Sequence, residues 1–245
     1  MKQKISIITV VKNGMPHLKD CIKSFKNQSY SAKELIIVYS KSNDGTEKYI
    51  NKLSGNIKIF KDEKYKNKFG PLNIGIKKAT GNIIGLLHSD DFYPNNNTLT
   101  NIMRSFDTFK CDVLYGNILF CKKNNKRKFV RKWISRPFEK KDLKMGWMPP
   151  HTSIYARKNI LLKNPYSIKF PISADYKFIL DLFSKKLKFY FLNKYLCIMR
   201  AGGDSTKIGN FAKKIIEDIK ISRKFFKHYM ICILLKVLRK IEQFF

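Results

Sequence analysis

The stretch Ile83-Ile84-Gly85-Leu86-Leu87-His88-Ser89-Asp90-Asp91 decides the fold of this 245-residue chain. Its apolar start, with two β-branched residues, reads as a short strand buried on both faces. Ser89-Asp90-Asp91 then places two adjacent carboxylates at the carboxyl edge of a sheet, where open α/β folds hold their ligands. Hard oxygen ligands there can take a divalent cation, and that cation can take a diphosphate. Taken alone, the pair reads equally as a solvated Asp-Asp turn that caps the next helix. The surrounding chain has to decide between the two.

Upstream, strand and helix signals alternate. Ile5 to Val11 is an apolar, β-branched strand, and Pro16 to Lys26 has helical spacing in Leu18, Ile22 and Phe25. Leu35 to Val38 is a second strand. Asp44-Gly45-Thr46 turns into a helix with Tyr49, Ile50 and Leu53 inside, and Ile57 to Phe60 is a third strand. Pro71 to Ala79 is helical and stops at Thr80-Gly81, so Ile83 to Leu87 is the fourth strand. A repeated βα pattern predicts a parallel sheet with helices on both faces.

Downstream the pattern loosens. Leu99 to Phe109 predicts a helix, Val113 to Cys121 a strand, and the basic stretch 122–132 around Asn124-Asn125 a hairpin. Gly146-Trp147-Met148-Pro149-Pro150-His151 precludes a regular helix. Thr152 to Ala156 reads as a strand, Asp175 to Ser184 as a helix, and Leu187 to Met199 as two short strands around Asn193. Ala201-Gly202-Gly203-Asp204-Ser205 is a glycine-rich loop. Phe211, Ile215, Ile219, Ser222, Phe226 and Tyr229 then mark one helix face, and Leu234, Leu238, Ile241 and Phe245 another, opposite Lys236, Arg239 and Lys240.

Fifty Lys and Arg against 18 Asp and Glu give a formal charge of +32, which implies attraction to nucleic acid, anionic lipid or phosphate-bearing substrates. A scattered, solvated lysine surface accounts for much of it. A nucleic-acid binder would concentrate basic residues around stacking aromatics or a known reading motif, and neither is present. The five cysteines form no C-x-x-C pair, so a disulfide framework or zinc site is not expected, and reduced thiols point to the cytoplasm. Lys2 to Val11 mimics the start of a signal peptide, yet the apolar run is short and β-branched and reads as the first strand. No apolar stretch reaches the roughly 20 residues that span a bilayer.

In order and spacing these segments resemble glycosyltransferase family 2, in the bacterial branch that builds surface polysaccharides such as lipopolysaccharide and capsule. The likeness lies in Ile7 to Asn13, Ser42-Asn43-Asp44-Gly45-Thr46, Asn73-Ile74-Gly75, Ala79-Thr80-Gly81, Ser89-Asp90-Asp91, Tyr115-Gly116-Asn117, Gly146 to His151, Ala174-Asp175-Tyr176 and Arg200 to Ser205. It implies a GT-A fold over residues 1–205: a Rossmann-like, mostly parallel sheet flanked by helices. Residues 206–245 read as a basic amphipathic helical tail. The resemblance further implies inverting transfer from a nucleotide-diphosphate donor, a UDP-sugar first, to a glycan or polyprenyl-diphosphate-linked acceptor, with Mg²⁺ or Mn²⁺. Asp91 would ligate the metal and Asp90 lie near the donor ribose. Thr9, Val11, Lys12, Asn13, Tyr39, Asp44, Asn73 and Ser89 would complete the donor site. Asp175 would be the base, while His151 and Arg200 would meet the acceptor or the diphosphate.

Each role has a chemical reason. A cation bridging the phosphates stabilises the charge that develops on the leaving group, and inversion needs one carboxylate to take the acceptor proton. A carboxylate at a helix start keeps a low pKa, which burial or bound diphosphate would have to offset. Two stretches depart from the family pattern. Val38-Tyr39-Ser40-Lys41 stands where an Asp usually reads the base, and Phe69-Gly70-Pro71 stands where relatives often carry a charge. The first departure admits a second reading, a catalytically impaired nucleotide-sugar binder, which retention of Asp90, Asp91 and Asp175 opposes. The tail can lie on an anionic membrane or pack its apolar side on the catalytic domain. The expectation is a cytoplasmic protein held peripherally on the inner face of the cytoplasmic membrane.

Overall fold

The computed structural model describes residues 2–65, 67–202, 208–240 and 243. Strands β1 (Ile5–Val11), β2 (Lys33–Tyr39), β3 (Ile57–Lys61) and β4 (Ile83–Leu86) pair in parallel in the order β3-β2-β1-β4. Between them run α1 (Leu18–Lys26), α2 (Thr46–Ile50) and α3 (Phe69–Lys78). The alternating strand residues are apolar on both sides, which is why two cores form. Ile8, Ile36, Val38, Ile84 and Leu86 pack with Phe69, Leu72 and Ile76 of α3. Ile5, Ile7, Leu35, Ile37 and Ile83 pack on the opposite face with Leu18, Ile22 and Phe25 of α1.

The second half extends this sheet. After α4 (Thr98–Phe109) come β5 (Val113–Lys122) and the hairpin strand β6 (Asn125–Trp133). A short helix, α5 (Lys140–Lys144), precedes β7 (Tyr155–Arg157), which runs antiparallel to both β4 and β5 and joins the halves. Gly85 permits that junction, because a Cβ there would overlap the Tyr155 ring. Helices α6 (Lys158–Leu162) and α7 (Ala174–Phe183) follow, and β8 (Phe189–Arg200) pairs in parallel with β5.

Two sequence expectations change here. The strand expected over Thr152 to Ala156 is instead a 3-10 turn at His151–Ser153 followed by β7, because Ser153 Oγ bonds the Pro150 and Gly116 carbonyls and pulls the chain into a turn. The two short strands expected around Asn193 are one strand with a bulge. Pairing passes from Gly116–Leu192 to Asn117–Tyr195, and Asn117 Nδ2 donates to Asn193 Oδ1 at 3.0 Å.

The C-terminal region forms α8 (Ile208–Ser222) and α9 (Tyr229–Leu238), packed on each other and on α7 and α5. The continuous helix face expected through Phe226 and Tyr229 is broken after Ser222. The second face is turned inside out: Cys232, Ile233 and Lys236 are buried, while Leu234 and Leu238 point outward. The Phe211 side chain, Gly203 to Ser205, Ile241 and Phe245, which also carried expectations, lie outside the described residues. All five cysteines are free and buried, and no helix among the described residues is long and apolar enough to cross a membrane.

Candidate active site

The carboxyl ends of β1 to β4 open to one side. Thr9 Oγ1 of β1 donates to the Leu87 carbonyl at 2.8 Å, and Leu87 N–H donates to Ile8 O at 3.0 Å, so His88 is the first residue past the ladder. Asp91 N–H closes a turn on His88 O at 3.0 Å. Phe92 then bridges to Ile198 of β8, which directs Asp91 inward. Asp91 is only 1% exposed. Its Oδ1 accepts from the Arg200 N–H at 3.4 Å and its Oδ2 has no partner. Burial, reinforced by the charge of Asp90, holds its pKa well above the ordinary carboxylate value.

Asp90 is half-buried at the open edge and influences His17 in the β1–α1 connection. Asp91, expected as the metal ligand, keeps its unpartnered Oδ2 in the interior, and Asp90, expected near the ribose, sits at the open edge. Among the described residues no three His, Cys, Asp or Glu groups converge to hold a metal ion. The carboxylates of Asp90 and Asp91, with Asp91 Oδ2 unpartnered, are hard oxygen donors of the kind that would suit a Mg²⁺ or Mn²⁺ carried by a diphosphate.

A second line of polar groups runs from β4 to α7. His88 Nε2 lies 3.1 Å from His151 Nε2, and His151 Nδ1 lies 3.9 Å from Asp175 Oδ2. Pro149-Pro150 and the 3-10 turn set His151 in place. Glu217 of α8 fixes the start of α7 by accepting the N–H groups of Ile172 and Ser173 at 3.1 and 2.8 Å. Burial lowers the pKa of both histidines, that of His151 to about 4, so both rings are neutral at physiological pH. Burial alone would raise Asp175, but His151, Lys214, Lys68 and Lys236 outweigh it and hold the carboxylate at about 2. It is 24% exposed, ionised and within reach of a ligand. Lys68 and Lys214, whose fields act on this line, were not singled out in the sequence; single lysines among 50 Lys and Arg carry no motif.

At the ends of β1, β2 and β3, a cavity of ≈ 320 Å³ is lined by Lys12, Ser40, Lys41, Lys61, Asp62, Glu63 and Tyr65. Asp62 follows β3, and its N–H donates to Tyr39 O at 2.7 Å. Its Oδ1 accepts from Lys64 and Tyr65 N–H groups at 3.1 and 3.3 Å, while Oδ2 is buried without a partner. The sequence reading passed over Asp62 because nothing local separates it from a turn residue.

The other expected donor residues divide. Lys12 is exposed on the cavity, and Ser89 sits against the Gly14 turn. Asn13 and Asp44 stitch two loops together: Asn13 Oδ1 accepts from Asn43 N–H at 3.0 Å, and Asp44 Oδ2 from Met15 N–H at 2.7 Å. Thr9 and Val11 are buried in or beside the core, and the Tyr39 ring packs against the α1-side cluster. Asn73 is occupied by both backbone groups of Tyr166 at 2.8 Å. Arg200 turns away from Asp175, pairing with Asp20 at 2.5 Å and the Lys123 carbonyl at 3.1 Å. Thr9, Val11 and Tyr39 thus contribute to packing, and Asn13, Asp44, Asn73 and Arg200 to internal bonds.

Residues 6–168 match the sequence profile of Glycosyl transferase family 2. An uncharacterized glycosyltransferase of Haemophilus influenzae is 30% identical over 222 residues, covering 86% of this chain and 84% of the relative. The Campylobacter jejuni protein named GalNAc(5)-diNAcBac-PP-undecaprenol beta-1,3-glucosyltransferase is 27% identical over 174 residues, covering 68% of this chain and 56% of that protein. Among solved structures, Staphylococcus aureus TarS 1–349 in complex with UDP-GlcNAc superposes with a TM-score of 0.65 at 19% identity, over 90% of this chain and 66% of the other.

Proposed function

Because the chain belongs to glycosyltransferase family 2, we propose that it transfers a sugar from a nucleotide-diphosphate donor, a UDP-sugar, to a glycan or lipid-linked acceptor with inversion at the anomeric carbon. One observation carries the reading: His88, two residues before Asp90 at the end of β4, lies 3.1 Å from His151, and His151 lies 3.9 Å from Asp175 at the start of α7, so both carboxylates border the same edge of the sheet. One carboxylate can hold the leaving group's cation while the other faces the attacking hydroxyl. TarS, solved with UDP-GlcNAc, and the Campylobacter relative, named for an undecaprenol-linked substrate, support the donor and acceptor classes.

In this reading the diphosphate lies along the ends of β1 and β4, with its base in the cavity beside Asp62. Asp90, the more open carboxylate of the pair, would hold a divalent cation, Mg²⁺ or Mn²⁺, which would supply Lewis-acid stabilisation of the departing diphosphate. Asp175 accepts the acceptor hydroxyl proton as the new bond from that oxygen to the anomeric carbon forms. The bond to the diphosphate oxygen breaks on the opposite face, and its electron pair leaves with the phosphate. A carboxylate at about pKa 2 is a weak base. The negative charge of bound diphosphate raises it, by the same like-charge effect that Asp90 exerts on Asp91. Neutral His151 borders Asp175, its Nδ1 3.9 Å from Oδ2.

The test pairs two variants. Asp175→Asn should retain nucleotide affinity by calorimetry and lose about 10²-fold or more in turnover. Asp90→Ala should lose Mn²⁺ binding in the presence of UDP, read by electron paramagnetic resonance. Normal turnover in the first variant removes Asp175 as base. Unchanged Mn²⁺ binding in the second removes Asp90 as ligand.

A further inference from the structure

Helix α9 is mounted against the usual rule for a surface helix. Met230, Ile231, Leu234, Val237 and Leu238 form one stripe at helical spacing, each 41–59% exposed. The side turned to the protein carries Lys236, 6% exposed, whose Nζ sits 2.8 Å from Asp218 Oδ2 and 3.2 Å from the centroid of the Tyr176 ring. Cys232 beside it donates to the Leu143 carbonyl at 3.3 Å, and Arg239 Nε donates to the Met145 carbonyl at 3.1 Å. Turning the helix half a revolution would cover the leucines and return the lysine to water. The fold instead holds a buried ion pair, which at best roughly offsets its own desolvation.

Among the described residues, the exposed charges next to the stripe in sequence are positive. Arg223, Lys224 and Lys227 lead into Met230, and Lys144 adjoins Met145, itself exposed beside Arg239. Ile216 adds an exposed apolar side chain on α8. An apolar stripe bordered by cations matches a surface that is apolar below and anionic above.

We propose that α9 is a membrane-docking helix: its Met230–Leu238 stripe enters the headgroup boundary of an anionic bilayer while Arg223, Lys224, Lys227 and Lys144 engage lipid phosphates. The site is separate from the donor site and does not depend on the sugar-transfer reading. The buried Lys236–Asp218 pair is the fastener that keeps the apolar face outward.

Vesicle flotation with the full chain tests this, using phosphatidylcholine alone and mixtures with phosphatidylglycerol at low salt. The chain should float with the anionic vesicles and bind neutral ones at least about tenfold more weakly. Leu234→Glu combined with Leu238→Glu should reduce anionic binding about tenfold or more, with an unchanged circular-dichroism melt because both side chains are exposed. Lys224→Glu with Lys227→Glu should remove most of the preference for anionic lipid. Three results would overturn the proposal: a wild-type chain that stays with the pellet, a double-glutamate variant that floats like wild type, or a wild-type dimer in sedimentation equilibrium that the same variant dissociates without any vesicle binding.

Discussion

At the scale of single residues, the carboxylates sort by what already holds them. Asp91 is enclosed, Asp90 is half-buried at the open edge, and Asp62 keeps one buried oxygen free beside a cavity of ≈ 320 Å³. A carboxylate oxygen without a partner selects an N–H donor, and uracil offers one at N3. In the proposed reading Asp62 is the base-reading group, one strand away from the position where Tyr39-Ser40-Lys41 lacks it. Asp62→Ala should therefore weaken UDP binding by about 10- to 100-fold, the worth of one charged hydrogen bond, in isothermal titration. Affinity for pyrophosphate with Mn²⁺ should stay the same. Equal losses for both ligands would mean that Asp62 only shapes the loop, and no loss for UDP would place the base elsewhere. Asp90-Asp91 was legible in the sequence as a local signal at a strand end, whereas Asp175 was singled out only by the family resemblance. The direction each carboxylate of the pair faces was not legible, since it depends on Phe92 bridging to Ile198, 106 residues away by numbering.

At the scale of elements, β1 to β4 and their helices could be read from periodicity, because both faces of each strand are apolar and each helix shows one buried stripe. The parts that escaped are those fixed by distant partners: the three-residue β7, the bulge at Asn193 and the orientation of α9. Hydrophobic pattern identifies the two faces of a helix but not which one turns inward when Asp218 waits for Lys236. Glu34 is the corresponding fastener at the other end of the sheet. Only 1% exposed on β2, it accepts from Ser6 Oγ at 2.6 Å and Thr80 N–H at 2.7 Å, and it pairs with Lys4 and Lys58 at 3.0 Å. Burial alone would raise its pKa, but these bonds depress it well below the ordinary 4.5. A depressed folded-state pKa contributes stability that is complete above the unfolded value and disappears as pH falls toward the folded one. Glu34→Gln should cost about 2–4 kcal/mol in urea unfolding at neutral pH, and the difference from wild type should narrow progressively below pH 4.5. A gap that stays constant on acidification would show that the lost contribution is packing rather than charge.

At the scale of the molecule, the candidate base and the proposed docking helix form one packed unit. Asp175 precedes Tyr176, whose hydroxyl lies 2.8 Å from Ser222 of α8 and whose ring lies under Lys236 of α9. The surplus of positive charge acts on this unit in two opposite ways. A formal charge of +32 repels itself in the folded state, so screening by salt should stabilise the fold. Attraction to anionic lipid should weaken under the same screening. The Lys236–Asp218 pair is buried on both sides and loses little of its strength, leaving the exposed lysines to set the sign. Raising NaCl from about 0.02 M to about 0.3 M should therefore lift the thermal midpoint by roughly 2–5 °C while vesicle binding falls. Calorimetry and flotation on the same samples separate the two effects. A midpoint that drops with salt would mean that exposed ion pairs, such as Lys61–Glu63 and Lys126–Asp20, hold the fold more strongly than the excess charge strains it.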